Sequence, residues 1–258
     1  MSGRDVGGAG DVGGVGATPP LLPGTWRRPV LGVLGGMGPA ATVSFLDALV
    51  RATPADRDQD HIDTVVLGHA TTPDRTARLL DLSQPDPTPY LMGDLELLAR
   101  LGAACAVIAC NTAHAFLPRE LPLPLLSLVR VGAEAAVERA REHAAGRQPG
   151  VRVLATDGTL LSRVYQEALT DLGAEALLPP EDGQRAVMAM IYDGVKAGLD
   201  VPGDDFLALL ERLRGDADAV LLGCTELSVL AGQAGERLPR YAVDAQAALV
   251  ARVVAEVG

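Results

Sequence analysis

Short apolar runs alternate with longer amphipathic stretches along most of this chain, and that alternation limits the possible folds more than any other feature. Residues 30–34, 64–67, 104–109, 151–155, 174–178 and 219–222 read as buried strands, because they are apolar without a polar face. Between and after them, residues 40–51, 89–101, 129–142, 160–172, 184–197, 206–214 and 245–256 carry helical spacing, and Gly102, Gly173, Gly198 and Gly215 close several of these. Strand and helix in alternation predict an α/β fold of parallel sheets covered by helices.

The chain also states a pattern twice. Val33-Leu34-Gly35-Gly36-Met37-Gly38, a strand running into a small-residue turn, returns as Val153-Leu154-Ala155-Thr156-Asp157-Gly158. The strand ending in Ala109-Cys110-Asn111-Thr112 returns, at a similar offset, as the one ending in Gly223-Cys224-Thr225. Two echoes in the same order predict two pseudo-symmetric lobes, each a mainly parallel sheet flanked by helices. Each lobe then offers one cysteine at the carboxyl end of a strand, where parallel sheets bind ligands, and the active site is expected between them. The expected division gives residues 29–127 plus 240–258 to lobe 1 and 128–239 to lobe 2. Residues 1–28, mostly Gly, Ala, Val and Pro without periodicity, are expected to be a disordered extension.

Composition narrows the function. A net charge of −11 argues against a nucleic-acid backbone as partner, and 3 Phe, 4 Tyr and 1 Trp leave little for base stacking. No apolar run approaches the roughly 18 residues that span a bilayer, and Arg27-Arg28 is followed by only a short apolar segment, so neither a membrane nor a secretion signal is expected. The 3 cysteines, odd in number and widely spaced, fit a reducing, cytoplasmic setting.

A free thiol is mostly un-ionised at neutral pH, but loop N–H groups or a nearby cation make it a base or nucleophile. Cys110 and Cys224 on facing lobes would approach one bound molecule from opposite sides, which suits inversion at a carbon: one thiol removes a proton and the other returns one. Cys105, inside a predicted strand, reads as a core residue. Zinc on Cys105, Cys110 and His114 matches no compact spacing. A Cys110–His114 nucleophile would leave Cys224 without a role. Gly35-Gly36-Met37-Gly38 lacks the third glycine of a dinucleotide fingerprint, yet as a nest of N–H groups before a helix it could take a carboxylate. Lys196, the only lysine in the chain, has no phosphate cradle around it to support a pyridoxal group. No metal and no cofactor are expected.

Taken together, several motifs resemble the aspartate/glutamate racemase superfamily, and within it the aspartate racemase branch. They are Gly35-Gly36-Met37-Gly38-Pro39, Arg57-Asp58-Gln59-Asp60-His61, Pro73-Asp74-Arg75-Thr76, Cys110-Asn111-Thr112-Ala113-His114, Tyr192 with Gly194-Val195-Lys196-Ala197-Gly198, and Gly223-Cys224-Thr225-Glu226. The resemblance runs from about Val30 to the C terminus. Glutamate racemases of cell-wall synthesis typically carry Asp-Ser-Gly in the first loop and His after the second Cys-Thr; this chain has neither.

The resemblance implies a cofactor-independent, homodimeric racemase of a small-molecule amino acid, with Cys110 and Cys224 as paired acid and base. It implies that Asn111, Thr112 and Thr225 hold the α-carboxylate and amino group, helped by the first loop at Met37 and Gly38. In the second lobe's matching loop, Thr156 and Asp157-Gly158-Thr159 are placed to complete the cradle, and turn formation and helix capping explain them equally well. It further implies that Arg57 and Lys196 take the distal carboxylate of aspartate. One departure stands out: Gly68-His69-Ala70 replaces an asparagine-rich family stretch, which places His69 in expected pocket territory and leaves the substrate side chain open. The alternative is another reaction of the superfamily, such as maleate-type cis–trans isomerisation or racemisation of an unusual biosynthetic amino acid.

Overall fold

The computed structural model describes Trp26 and residues 28–258. Apart from Trp26 and Arg28, the extension expected over residues 1–28 lies outside the described residues.

Strands β1 (Val30–Gly35), β2 (Thr64–Gly68) and β3 (Ala103–Ile108) form a parallel sheet in the order β2-β1-β3. β1 is buried at every position, as a central strand covered on both faces must be. After β3 the chain returns beside it: Ala106 N donates to Pro124 O (2.8 Å) and Leu126 N to Ala106 O (2.9 Å), a vestigial fourth strand bridged at Leu125. The second sheet holds β4 (Gly150–Leu154), β5 (Glu175–Leu177), β6 (Ala219–Leu222) and β7 (Ala242–Asp244), all parallel, in the order β5-β4-β6-β7. The two sheets therefore share one strand order, and the repeat read from the sequence is a repeat of topology.

A single core joins the lobes. Leu31, Val33 and Val107 of the first sheet pack in one cluster with Leu128 and Val137 of α4 (Leu128–Arg141), Val151, Val153 and Leu221 of the second sheet, and Leu249 and Val253 of α10 (Ala245–Val257). Each such side chain, fully buried, contributes about 1.5–3 kcal/mol. α4 follows the vestigial strand of the first sheet but lies on β4, β6 and β7, whereas α10 follows β7 and lies against α4 and against α1 (Pro39–Ala52). β7 thus keeps the chain in the second sheet as far as Asp244, and the return toward lobe 1 expected at residue 240 comes with α10 instead.

Two smaller clusters sit at the outer sides, and each ends at a cysteine. Leu34, Ile108 and the leucines of α3 (Thr88–Arg100) pack with Cys110; Leu154, Leu222 and Phe206 of α8 (Gly203–Arg214) pack with Cys224. The helix expected at 160–172 is two helices, α5 (Asp157–Ser162) and α6 (Val164–Asp171), broken at Arg163 in a left-handed conformation (φ 63°). The one expected at 184–197 is α7 (Glu181–Ala189) followed by a π-helical turn, Met190–Val195. Two further helices, α2 (Arg75–Leu80) and α9 (Thr225–Ala234), lie where no helical spacing was read.

Candidate active site

Both expected cysteines line one narrow, enclosed cavity between the lobes. Cys110 follows β3, and Cys224 is the N-cap of α9 directly after β6. Each is about 5% exposed (6% and 5%), so the thiols face a protein-lined space rather than bulk water. Met37, Asn111, Thr112, Thr156, Lys196 and Thr225 reach the same cavity, which brings together most of the residues expected from the sequence. Thr159 stands one layer behind, wholly buried, and Gly38 lies at the outer mouth with Pro39 and Ala40.

Hydroxyl groups from both lobes meet on one wall. Thr112 Oγ1 is 2.7 Å from Thr159 Oγ1 and 3.2 Å from Thr156 Oγ1, and Thr76 Oγ1 donates to Thr156 Oγ1 at 3.3 Å. Thr156 also caps α5, accepting from Thr159 N at 3.2 Å. The contact is close because Gly158 has no side chain; a Cβ there would lie 2.7 Å from Thr76 Cα.

The charges divide between the two thiols. Arg75, 8% exposed, is fixed by donating to Met37 O (2.9 Å), Pro73 O (3.0 Å) and Thr72 O (3.3 Å), and its Nε is buried without a partner. Burial works against its charge, but the facing Cys110 and Asp74 hold its pKa above the usual value. On the other side, Cys224 Sγ donates to Glu226 Oε2 at 2.9 Å, and Lys196 Nζ lies 3.3 Å from Glu226 Oε1. Burial first, and then the Glu226 carboxylate, push the Cys224 thiol well above its ordinary range, outweighing Lys196. Burial also opposes the charge of Lys196, yet Glu226 and both cysteines raise its pKa. The π-helical turn, a rare geometry that recurs at functional sites, presents Tyr192 to the cavity with Lys196 Nζ 5.3 Å from its ring centre.

Two expectations fail on position. Arg57 is an exposed side chain paired with Asp60 (3.1 Å), in a surface groove with Trp26 and Arg28, and does not reach the cavity. The short 3-10 turn Asp58–Asp60 holds it there, and the arginine inside the site is Arg75. His69 turns outward to α3, its Nδ1 2.7 Å from Asp94 Oδ2 and its ring 5.8 Å from that of Tyr90, and does not line the pocket. His114 is no partner for the Cys110 thiol either: its Nδ1 lies 3.0 Å from the Cys110 carbonyl oxygen, and burial lowers its pKa to about 4. Among the described residues, no three His, Cys, Asp or Glu side chains gather as a metal set. Asp74, Arg75, Thr76, Tyr192 and Glu226 complete the lining beyond the expected set. Their signal lies in the Pro73-Asp74-Arg75-Thr76, Tyr192 and Cys224-Thr225-Glu226 motifs, where Glu226 reads as a residue that could orient Cys224 and the others carry no assigned contact.

The family model for Asp/Glu/hydantoin racemases matches residues 34–253. The chain is 27% identical over 206 residues to the glutamate racemase of Aquifex aeolicus (74% of this chain, 69% of the relative). It is 25% identical to the broad specificity amino-acid racemase RacX of Bacillus subtilis, covering 87% of this chain and 96% of that protein. At 32% identity, a Lysinibacillus sphaericus glutamate racemase aligns over 54% of this chain, which spans about half (51%) of the relative's length. Among solved structures, the Picrophilus torridus aspartate racemase superposes with a TM-score of 0.69 at 26% identity, covering 89% of this chain and 96% of its own. An aspartate racemase homologue from Pyrococcus horikoshii shares the fold at a TM-score of 0.67 and 20% identity (88% and 97% coverage).

Proposed function

The chain belongs to the Asp/Glu/hydantoin racemase family and is an amino-acid racemase, and on that premise we propose that it interconverts L- and D-aspartate with Cys110 and Cys224 as paired base and acid. The observation that carries this reading is the unequal setting of two thiols in one cavity: Cys224 bonded to Glu226, Cys110 facing Arg75.

In the resting site Cys224 is a thiol, because its S–H donates to a carboxylate and its thiolate would stand beside a buried anion. Cys110, which faces the buried guanidinium of Arg75 in the same cavity, is assigned the part of the base. An amino acid held between them loses its α-proton to the Cys110 thiolate and receives the Cys224 proton on the opposite face. Cys110 ends as a thiol and Cys224 as a thiolate. The enzyme is left in the complementary form, ready for the other enantiomer.

The α-proton is far less acidic than a thiol, so the developing carbanion needs donors fixed in advance in a site closed to water. The unpartnered Asn111 Nδ2 and the threonine hydroxyls supply them. Arg75 and Lys196 take the distal carboxylate, and binding energy from that end places the α-carbon between the thiols. The work is assigned to a cytoplasmic homodimer acting without metal or cofactor.

The test is incubation with L-aspartate and D-aspartate separately, with EDTA and no added cofactor, followed by chiral chromatography. Conversion in both directions is the expected result. Turnover of glutamate or neutral amino acids without turnover of aspartate would reassign the substrate, and inactivity across the panel would overturn the reading.

A further inference from the structure

Tyr165 lies beneath the cavity and belongs to no role described so far. It is 0% exposed, it comes from α6 in the second lobe, and its hydroxyl donates to Asn111 Oδ1 in the loop that carries Cys110 (2.5 Å). Two glycines make room for it. A Cβ at Gly132 would stand 3.2 Å from the tyrosine oxygen, and one at Gly223, the residue before Cys224, would stand 2.7 Å from the ring. One side chain thus packs against the backbone leading to one thiol and bonds the residue next to the other.

The direction of that bond decides what Asn111 shows to the site. Among the described residues Asn111 Oδ1 is the acceptor that the buried hydroxyl has, so the amide oxygen is committed away from the cavity. The Nδ2 group then remains, buried, without a partner, on a residue that lines the cavity and is 3% exposed. A buried NH₂ group left unsatisfied costs free energy unless a ligand accepts from it. An amide free to rotate would offer its oxygen as often as its nitrogen, and the oxygen would repel a carboxylate or an enolate-like intermediate.

We infer that Tyr165 is a positioning residue of the racemase: across the lobe boundary it fixes the Asn111 amide with its NH₂ toward the substrate carboxylate, and so toward the charge that grows there as the α-proton leaves. The inference deepens the racemase reading and rests on it. Its effect is exerted wholly through Asn111, which distinguishes it from a packing role.

The experiment is a double-mutant cycle on aspartate racemisation with Tyr165→Phe, Asn111→Ala and the pair, each with a thermal melt. Removing one preorganised donor from such a site costs about 10²–10³-fold in kcat, so Asn111→Ala falls in that range. Tyr165→Phe lowers kcat about 10-fold or more, with a smaller change in KM, and adds less than about twofold once Asn111 is Ala. Equal losses from Tyr165→Phe in both backgrounds, or wild-type kcat in Tyr165→Phe, overturn the inference. Asn111→Asp supplies a second reading that does not depend on Tyr165→Phe folding. It keeps an acceptor for the hydroxyl but shows no NH₂, so it is expected to be as impaired as Asn111→Ala; wild-type activity in Asn111→Asp would contradict the inference. Wild-type protein that does not turn over aspartate would fail the substrate reading instead, a result separate from these.

Discussion

Glu226 sets the difference between the two thiols. It accepts from Cys224 and pairs with Lys196, so one buried carboxylate keeps one thiol protonated and one cation in place. Glu226→Gln removes the negative charge that, after burial, raises the Cys224 pKa. Alkylation of Cys224 by iodoacetamide, followed against pH in a Cys105→Ser/Cys110→Ser background, is therefore expected to begin at lower pH in Glu226→Gln than with Glu226 intact; an unchanged or higher onset would contradict the assignment. The two arginines separate the site from the surface. Arg75→Lys keeps the charge but loses the forked reach to three carbonyls, and a charge-assisted hydrogen bond is worth about 1.5–3 kcal/mol, so kcat/KM for aspartate is expected to fall about 10- to 100-fold. Arg57→Ala, on the exposed turn, is expected to change kcat/KM less than about twofold by the same steady-state assay.

At the scale of elements, α2 of the first lobe and α5 of the second pack closely at Gly158. Gly158→Ala would force a methyl to within 2.7 Å of Thr76 Cα, and overpacking of this kind costs about 1–3 kcal/mol. Urea unfolding is expected to show that loss together with reduced activity, since Thr76, Thr156 and Thr159 move with the contact; a variant as stable and active as wild type would refute the close packing. The sequence made the strands legible because each is a short apolar run, and the repeat foretold two sheets of like order. It did not make α9 legible, because its residues are buried on nearly every side and present no amphipathic stripe. α2, at six residues, is too short for a periodic signal. β7 has three residues and only partial burial. The break at Arg163 has no glycine or proline to mark it. Of the site, the cysteines and their neighbours were legible from position at strand ends, whereas choosing between Arg57 and Arg75 required the fold, since both sit in polar stretches between the periodic segments and the helix that Arg75 opens is too short to read.

For the whole molecule, stability is tied to pH through His114, whose Nε2 is buried without a partner. Its folded pKa, about 4, lies below the ordinary 6.5, so the unfolded chain takes up the proton first as pH falls. Stability is therefore lost progressively from about pH 6.5 down to about 4, at up to roughly 1.4 kcal/mol per pH unit. The difference in urea-unfolding free energy between wild type and His114→Asn is expected to shrink across that window, because the variant lacks the titrating group; a constant difference would show that His114 is not held neutral. The central claim is that two thiols of one cavity work on opposite faces of one carbon. Its most direct test follows loss of the aspartate α-proton in D₂O by NMR, beside configuration by chiral chromatography, for wild type, Cys110→Ser and Cys224→Ser. Wild type is expected to exchange and invert both enantiomers, while each variant loses racemisation by about 10²-fold or more. Wild-type inversion in either variant would contradict the account.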